Sequence, residues 1–454
     1  MDKFIINNLR EIAFILVSVL ILSTGVFAQN SNCNDCVPNQ VLIELANQGN
    51  LSAVATQYKL LSTPLQQVGT PPTYLMAVDT TETNQTPDQI VAAMQGDARI
   101  TKAEVNRKLS AVERQGLPWT LGHSWAIGHS WAIGGSSKGY NRQWFPGLIR
   151  LDEAHQITKG TRVDNGKPVV VAVLDTGIDL THPAFAGKLV AGYDFVDNDD
   201  NPGEVGVLRQ NPVYGHGTHV AGIVALTAPD VKIMPIRVLD ANGEGELWRV
   251  TAAIIWAANH GADIVNISFG YTSQPRLLKD LIHVCEGVPA PDGKTFPELN
   301  GNRIVVVAGA GNGGQIGNGT SPIYPAGERI DPQLSVGAST RFDRLAVFST
   351  FNRDQIRSVA PGENIVSAIP GGRYGLWSGT SMAAPIAAGI AALVKAKNPT
   401  LPPHSIVEQI TETGIKWDCQ LPGRNIRLKT SRVDAFCAVS NNRACGFNPQ
   451  VCSE

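Results

Sequence analysis

A three-layer α/β/α fold with a mainly parallel sheet is predicted for the larger part of this chain. Three observations predict it. From residue 146 onward, short Val- and Ile-rich runs recur: VVVAVLD (169–175), VKIMPIRVLD (231–240), ADIVNIS (262–268), RIVVVAGAG (303–311) and PQLSVGAS (332–339). Helical stretches such as ELWRVTAAIIWAANHG (246–261) lie between several of them. The runs are also apolar on both faces, which suits a parallel sheet covered by helices on both sides. In such a sheet, catalytic and binding groups gather at the carboxyl ends of the strands.

The first segment reads as an address. Residues 12–28, IAFILVSVLILSTGVFA, follow Lys3 and Arg10 and end in Val26-Phe27-Ala28. That is a secretory signal peptide, 1–28, cleaved after Ala28. The run falls short of the ~20 residues that span a bilayer. A secreted or periplasmic protein is expected, with no membrane partner after cleavage. The chain has 454 residues, 43% hydrophobic and 17% charged, with a net charge of −2. This is an ordinary globular composition, and the near-zero charge gives no reason to bind nucleic acid. At about 150 residues per domain, the length allows two or three domains.

Residues 29–115 read as a small α+β unit. VLIELA, around 42–46, is a strand, and LSAVATQYKLL (51–61) has helical spacing. TYLMAVD (73–79) is a strand, Thr86-Pro87-Asp88 starts a helix, and ITKAEVNRKL (100–109) alternates as a last strand. A β-α-β-β-α-β order suits a ferredoxin-like sandwich, a common fold with no function of its own. Residues 116–145 read as a linker with a processing region. Gly122–Ile127 is repeated there as Gly128–Ile133. Paired histidines at this spacing could hold a metal, but an exposed duplication is the simpler reading, since a repeat architecture needs three or more units. Gly, Ser and Lys at 134–140 suit proteolytic nicking.

The seven cysteines are Cys33, Cys36, Cys285, Cys419, Cys437, Cys445 and Cys452. The last four suit disulfides in an oxidising compartment, and Cys419–Cys437 with Cys445–Cys452 is one of three possible pairings. Cys33-x-x-Cys36 reads as a local disulfide or a polar tail more readily than as half a zinc site. Cys285 is the odd thiol, expected to be buried and inert. Residues 441–454 form a Cys-containing tail.

The chemistry lies in residues 146–440. Asp175 ends the VVVAVLD strand, in Asp175-Thr-Gly-Ile-Asp179. His216 lies in Gly215-His216-Gly217-Thr218-His219, which opens a helix, and Ser381 in Gly379-Thr380-Ser381-Met382-Ala383-Ala384-Pro385, at the start of helix 383–396. A serine hydroxyl is a weak nucleophile at neutral pH. It needs an imidazole as base, and the imidazole needs a carboxylate to fix its tautomer. A helix start beside Ser381 also aims backbone N–H groups at a developing oxyanion. Asp179 reads as a turn residue, and His219 as packed behind His216.

These motifs, in the order Asp, His, Ser, resemble the subtilisin-like serine peptidases, most nearly the thermitase-like members. The resemblance implies a subtilisin-like fold over 146–440 and a secreted serine endopeptidase that hydrolyses protein or peptide substrates, with no organic cofactor. Ala310-Gly311-Asn312-Gly313 matches the family's oxyanion loop, so Asn312 would donate its amide to the oxyanion. Losing such an amide lowers turnover about a hundred- to a thousand-fold, a magnitude that comes from subtilisin itself. Ser268, Phe269 and Gly270 match the strand that receives substrate, with Ala310 and Gly311 beside it and Ile323 near the pocket floor. A shallow, neutral pocket for smaller apolar side chains follows. The insertion 285–302 either shapes the cleft or decorates the surface. Residues 29–115 resemble the family's propeptide, an intramolecular inhibitor, and a monomer is implied.

Structural calcium is common in the resembled family. Its strongest site is expected to be absent, because Ala184 replaces an Asp and no loop separates Ala225 from Val231. Asp194, Asp197, Asp199 and Asp200 resemble the thermitase-like calcium loop, which makes Asp197 and Asp199 candidate ligands. Clustered carboxylates suit a hard cation, and a solvated acidic turn is the other reading.

Overall fold

The structure, a computed structural model, describes residues 35–111, 132–208, 210–315, 322–328, 333–350, 356–420 and 427–444. The signal peptide, the first copy of the repeat, Cys33, Cys445 and Cys452 lie outside the described residues. Contacts divide the chain into two units, one up to Asn106 and one from Arg107 onward, with Gly69–Pro71 counted in the second.

The first unit is built from β1 (Cys36–Leu45), α1 (Leu51–Gln57), β2 (Gln66–Val68), β3 (Thr73–Ala77), α2 (Pro87–Ala93) and the start of β4 (Ile100–Ala111). Its sheet order is β4-β1-β3-β2, and β3 is antiparallel to both β1 and β2. Val41, Ile43 and Leu45 share one face of β1, as a period of two requires, and join Val54, Met76, Ile90 and Met94 in the core. Thr86 starts α2 through a reciprocal cap. Its hydroxyl accepts from Gln89 N–H, and Gln89 Oε1 accepts from Thr86 N–H at 2.9 Å. Pro87 follows at the first helical position, where a missing N–H costs nothing.

The second unit continues with β5 (Ala132–Gly135), α3 (Ser137–Asn141), α4 (Phe145–Leu148), α5 (Leu151–His155), β6 (Val170–Asp175), β7 (Tyr193–Asp194), α6 (His216–Thr227), β8 (Lys232–Arg237) and β9 (Glu244–Glu246). There follow α7 (Leu247–Asn259), β10 (Ile264–Ile267), β11 (Phe269–Gly270), α8 (Arg276–Cys285), β12 (Val305–Gly309), β13 (Leu334–Ser339) and β14 (Ser358–Pro361). The last elements are β15 (Ile365–Ile369), β16 (Arg373–Trp377), α9 (Thr380–Lys397), α10 (Pro403–Thr413), β17 (Ile415–Gln420), β18 (Arg427–Arg432) and α11 (Ala435–Ser440).

Its main sheet runs β17-β18-β14-β13-β12-β10-β6-β8-β7. Neighbours from β18 to β7 are parallel, and only the edge pair β17–β18 is antiparallel. The five apolar runs read from the sequence become β6, β8, β10, β12 and β13. Val171, Ile233, Ile264, Val306 and Val336 are fully buried, as central strands covered on both faces must be. Helix α9 is buried from Thr380 to Val394 and packs on α6 and on β12 and β13. Among the described residues no helix is long and apolar enough to cross a membrane.

One expectation changes. Residues 132–145, read as linker, carry β5, which pairs with β16, and α3. Tyr140 is buried and donates to Gly222 O at 2.5 Å. Gln143 bonds both the N–H and the carbonyl of Val366, at 3.0 and 2.8 Å, acting as a short extra strand. In the insertion 285–302, Thr295 pairs with Thr70 through bonds of 2.8 and 2.9 Å, and Glu298 accepts from Gly69 N–H at 2.9 Å.

Candidate active site

Asp175, His216 and Ser381 come from three elements that the sheet brings together: the end of β6, the first residue of α6 and the second residue of α9. All three are fully buried. Asp175 Oδ1 accepts from His216 Nδ1 at 2.7 Å and from Thr176 N–H at 2.8 Å. Nδ1 therefore carries the proton in the neutral ring, and Nε2 is left as the basic nitrogen. This approach needs Gly217: a Cβ there would lie 2.1 Å from Gly177 O and 3.0 Å from Asp175 Cβ. The Thr176 hydroxyl accepts from Gly217 N–H at 3.0 Å and ties the two turns together.

The Ser381 hydroxyl donates to Ser268 O at 3.0 Å, and Ser268 Oγ donates back to Ser381 O at 3.2 Å. The second bond follows from the sequence. Pro385 has no N–H to give to the carbonyl four residues earlier, so Ser381 O is left for Ser268. Thr380 performs a similar task for Asn312. Its N–H and hydroxyl both donate to Asn312 Oδ1, at 2.9 and 3.1 Å, while its hydroxyl accepts from Gly311 N–H at 3.0 Å. These bonds hold the Asn312 amide oxygen at the start of α9. Thr176, Thr380 and Pro385 were not singled out from sequence, although each stands in a motif that was.

Phe269 and Gly270, next to Ser268, form β11. The chain's own Lys108–Ala111 runs between β11 and Glu244–Glu246. Phe269 pairs with Ala111 and Gly270 with Ser110, while Lys108, Leu109 and Ser110 pair with Glu246, Gly245 and Glu244. Both pairings are antiparallel, and all of these residues belong to the second unit. Ile323 packs between Gly270 and Gly311, where added Cβ atoms would lie 2.4 and 2.6 Å from its side chain. Gly311 also has φ +99, which disfavours any other residue. Ala310 belongs to a buried core cluster with Ile356, Val359, Trp417 and Leu428.

A match to the subtilase family model covers residues 166–435. The chain belongs to the subtilase family. Subtilases are serine endopeptidases, so this chain is a hydrolase of that type. It is 36% identical over 313 residues to a thermophilic serine proteinase of Bacillus sp. (strain AK1), covering 67% of this chain and 68% of the relative. It is 34% identical over 292 residues to thermitase of Thermoactinomyces vulgaris, covering 61% of this chain and 92% of the relative. The fold is similar to that of fervidolysin from Fervidobacterium pennivorans, with a TM-score of 0.65 and 23% identity, over 90% of this chain and 61% of that chain.

Of the two readings of the acidic turn, the contacts favour the one without a metal. Asp197 and Asp194 are both salt-bridged to Arg237 Nη1, the latter at 2.7 Å. Asp194 Oδ1 also accepts from the N–H groups of Val196 and Asp197, and Asp199 Oδ1 accepts from Asn201 N–H. Arg237 already neutralises Asp194 and Asp197, and among the described residues no group of three or more His, Cys, Asp or Glu could hold a metal.

Two groups near the chemistry have settled structural roles. His219 stacks on Trp377 at 4.3 Å and bonds Gly375 O through Nε2 at 3.2 Å; burial pushes its pKa down to about 3, so it stays neutral near pH 7. Asp179 holds a turn, accepting from Thr181 and from Gly371 N–H. Cys285 is a free, buried thiol, and burial beside Glu286 raises its pKa well above the ordinary range.

Proposed function

We propose that this subtilase is the precursor of a secreted endopeptidase whose triad is Asp175, His216 and Ser381, held inactive by its own residues 29–115. Residues 1–28 would direct export. The strand Lys108–Ala111, paired on both sides beside Ser268, is the observation that carries this reading. An extended peptide bound by backbone pairing in that place is what a peptidase does with substrate. Here the chain supplies the peptide itself, which supports an inhibitory role for the segment that ends there.

In the reaction, the Ser381 hydroxyl leaves the Ser268 carbonyl, gives its proton to His216 Nε2 and attacks the scissile carbonyl carbon. Asp175 keeps the ring in the right tautomer and stabilises the imidazolium. The oxyanion is met by Asn312 Nδ2 and the Ser381 N–H. His216 then returns the proton to the leaving amine, and a water repeats the cycle to release the acyl group. Asn312→Ala is expected to lower kcat about a hundred- to a thousand-fold with KM nearly unchanged, the magnitude known for this position in subtilisin. A large rise in KM with kcat intact would assign Asn312 to ground-state binding instead.

Ile323 between Gly270 and Gly311 supports a shallow, neutral pocket for smaller apolar side chains. Peptides with Ala or Val before the scissile bond are expected to be cut faster than those with Phe, Lys or Arg. Preference for Phe, or for a basic side chain, would sink that assignment.

The overall reading is tested by the intact masses of secreted wild type and Ser381→Ala. Wild type is expected to lose residues 1–28 and the inhibitory segment, while the variant begins at Gln29 and remains long. Identical cutting of both would mean that another protease matures the chain.

A further inference from the structure

We propose that Glu204 is a positioning residue of the triad, locking the first turn of α6 against the turn after β6 and supporting with its charge the imidazolium that His216 becomes. The proposal rests on the Asp-His-Ser reading above. Glu204 stands 12 residues before His216, outside any helix or strand, and no motif contains it. Its backbone is nevertheless fixed: Glu204 N–H donates to Ile178 O at 3.1 Å, and Ile178 N–H donates to Pro202 O at 3.1 Å.

Its carboxylate serves both turns of the dyad. Oε2 accepts from the Thr218 hydroxyl at 2.8 Å and from Thr218 N–H at 3.3 Å. The same hydroxyl accepts from Asp179 N–H at 2.9 Å, so one side chain links Glu204, α6 and the turn that follows Asp175. Gly215, the residue that caps α6, has no side chain with which to satisfy the helix's first N–H groups. Glu204 supplies that cap from the loop, and an anion there also suits the helix dipole.

The other oxygen, Oε1, is buried and has no hydrogen-bond partner among the described residues. The charged and titratable groups around the carboxylate are Asp175 and, from the loop, Tyr214, which itself faces Arg373 and Asp179. Burial pushes its pKa up to about 7, helped by the charge on Asp175, while Thr176, Thr218 and Gly215 pull it back. Glu204 thus changes charge near the range where an imidazole works as a base. An anion behind the dyad favours protonated His216, as Asp175 does in front.

The test is the pH profile of kcat/KM for processed wild type, Glu204→Gln and Glu204→Asp on one peptide substrate, with Ser381→Ala as blank and a thermal melt of each. Gln keeps an acceptor for Thr218 but loses the charge. Its acid limb is expected to move to lower pH by about half a unit, and its plateau to fall about ten-fold with KM little changed. Asp keeps the charge but not the reach, so its plateau falls while its acid limb stays near that of wild type. A residue that merely holds the fold would lower the melting temperature and leave the limb in place, and an unmoved limb in Glu204→Gln overturns the proposal. If Glu204→Gln does not fold, Thr218→Val decides: it removes the hydroxyl that joins Glu204 to α6 and to the Asp179 turn, leaves the backbone bond and the charge, and full activity in that variant overturns the positioning role. An inert wild type, or Ser381→Ala as active as wild type, would remove the triad reading itself. An active wild type with an unmoved Glu204→Gln profile removes only the role of Glu204.

Discussion

Replacing Ser381 by alanine is expected to lower kcat by about 10⁶, the scale known for the nucleophile of subtilisin, with KM nearly unchanged. In the proposed mechanism Oγ is the atom that forms the bond to the scissile carbonyl, and no neighbour is placed to replace it. Ser268 is the nearest hydroxyl in kind, but its proton is given to Ser381 O at 3.2 Å, and its own Oγ accepts from Asn266 Nδ2 at 3.0 Å. It is held in the wall of the site. The residual rate would come from Asn312 and from substrate pairing along Phe269–Gly270. The fold should be preserved, because Ala383 and Ala384 already show that this turn of α9 accepts alanine in a fully buried place. Initial rates on an unstructured protein or a peptide anilide give the answer. Residual turnover above about one part in a hundred would mean that Ser381 is not the nucleophile.

Asp175→Asn is expected to lower kcat by about 10⁴ without unfolding the protein. Asp175 Oδ1 accepts both from His216 Nδ1 and from Thr176 N–H, and Oδ2 is buried without a partner among the described residues. An amide nitrogen placed at Oδ2 would leave buried donors unsatisfied, which is unfavourable by about 1–3 kcal/mol. Turning the amide over would aim N–H at His216 Nδ1 and force the proton onto Nε2, the wrong tautomer for a base. In either arrangement the negative charge that stabilises the imidazolium is gone. Steady-state kinetics with a melting curve test this. A variant that keeps a tenth or more of wild-type turnover would show that Asp175 does not orient the base.

The main sheet was legible because its strands are buried on both faces, so each reads as an unbroken apolar run. The dyad and Ser381 were legible because their neighbours are constrained as well. Gly217 is required by a 2.1 Å approach to Gly177 O, and Pro385 frees a carbonyl that Ser268 then takes. Long-range partners were not legible. Nothing local to Asp197 announces Arg237, 40 residues away, so an acidic turn looked equally suited to calcium. Nothing in the Ala310-Gly311-Asn312-Gly313 motif announces that Ala310 joins a core cluster with Trp417 and Leu428, more than 100 residues away. Residues 132–145 read as linker from their Gly and Ser content, whereas the buried Tyr140 and the strand-like bonds of Gln143 hold them in the fold. Glu204 gave no signal, since its partners lie in two other turns.

The most direct test of the central claim is chemical. Purified, substrate-hydrolysing protein would be treated with a fluorophosphonate, digested and mapped by mass spectrometry, beside Asp175→Asn and Ser381→Ala. The account predicts one adduct per chain, on Ser381, formed in step with loss of activity, much slower in Asp175→Asn and absent from Ser381→Ala. Complete inactivation with the adduct on another residue, or full activity with Ser381 unlabelled, would contradict it.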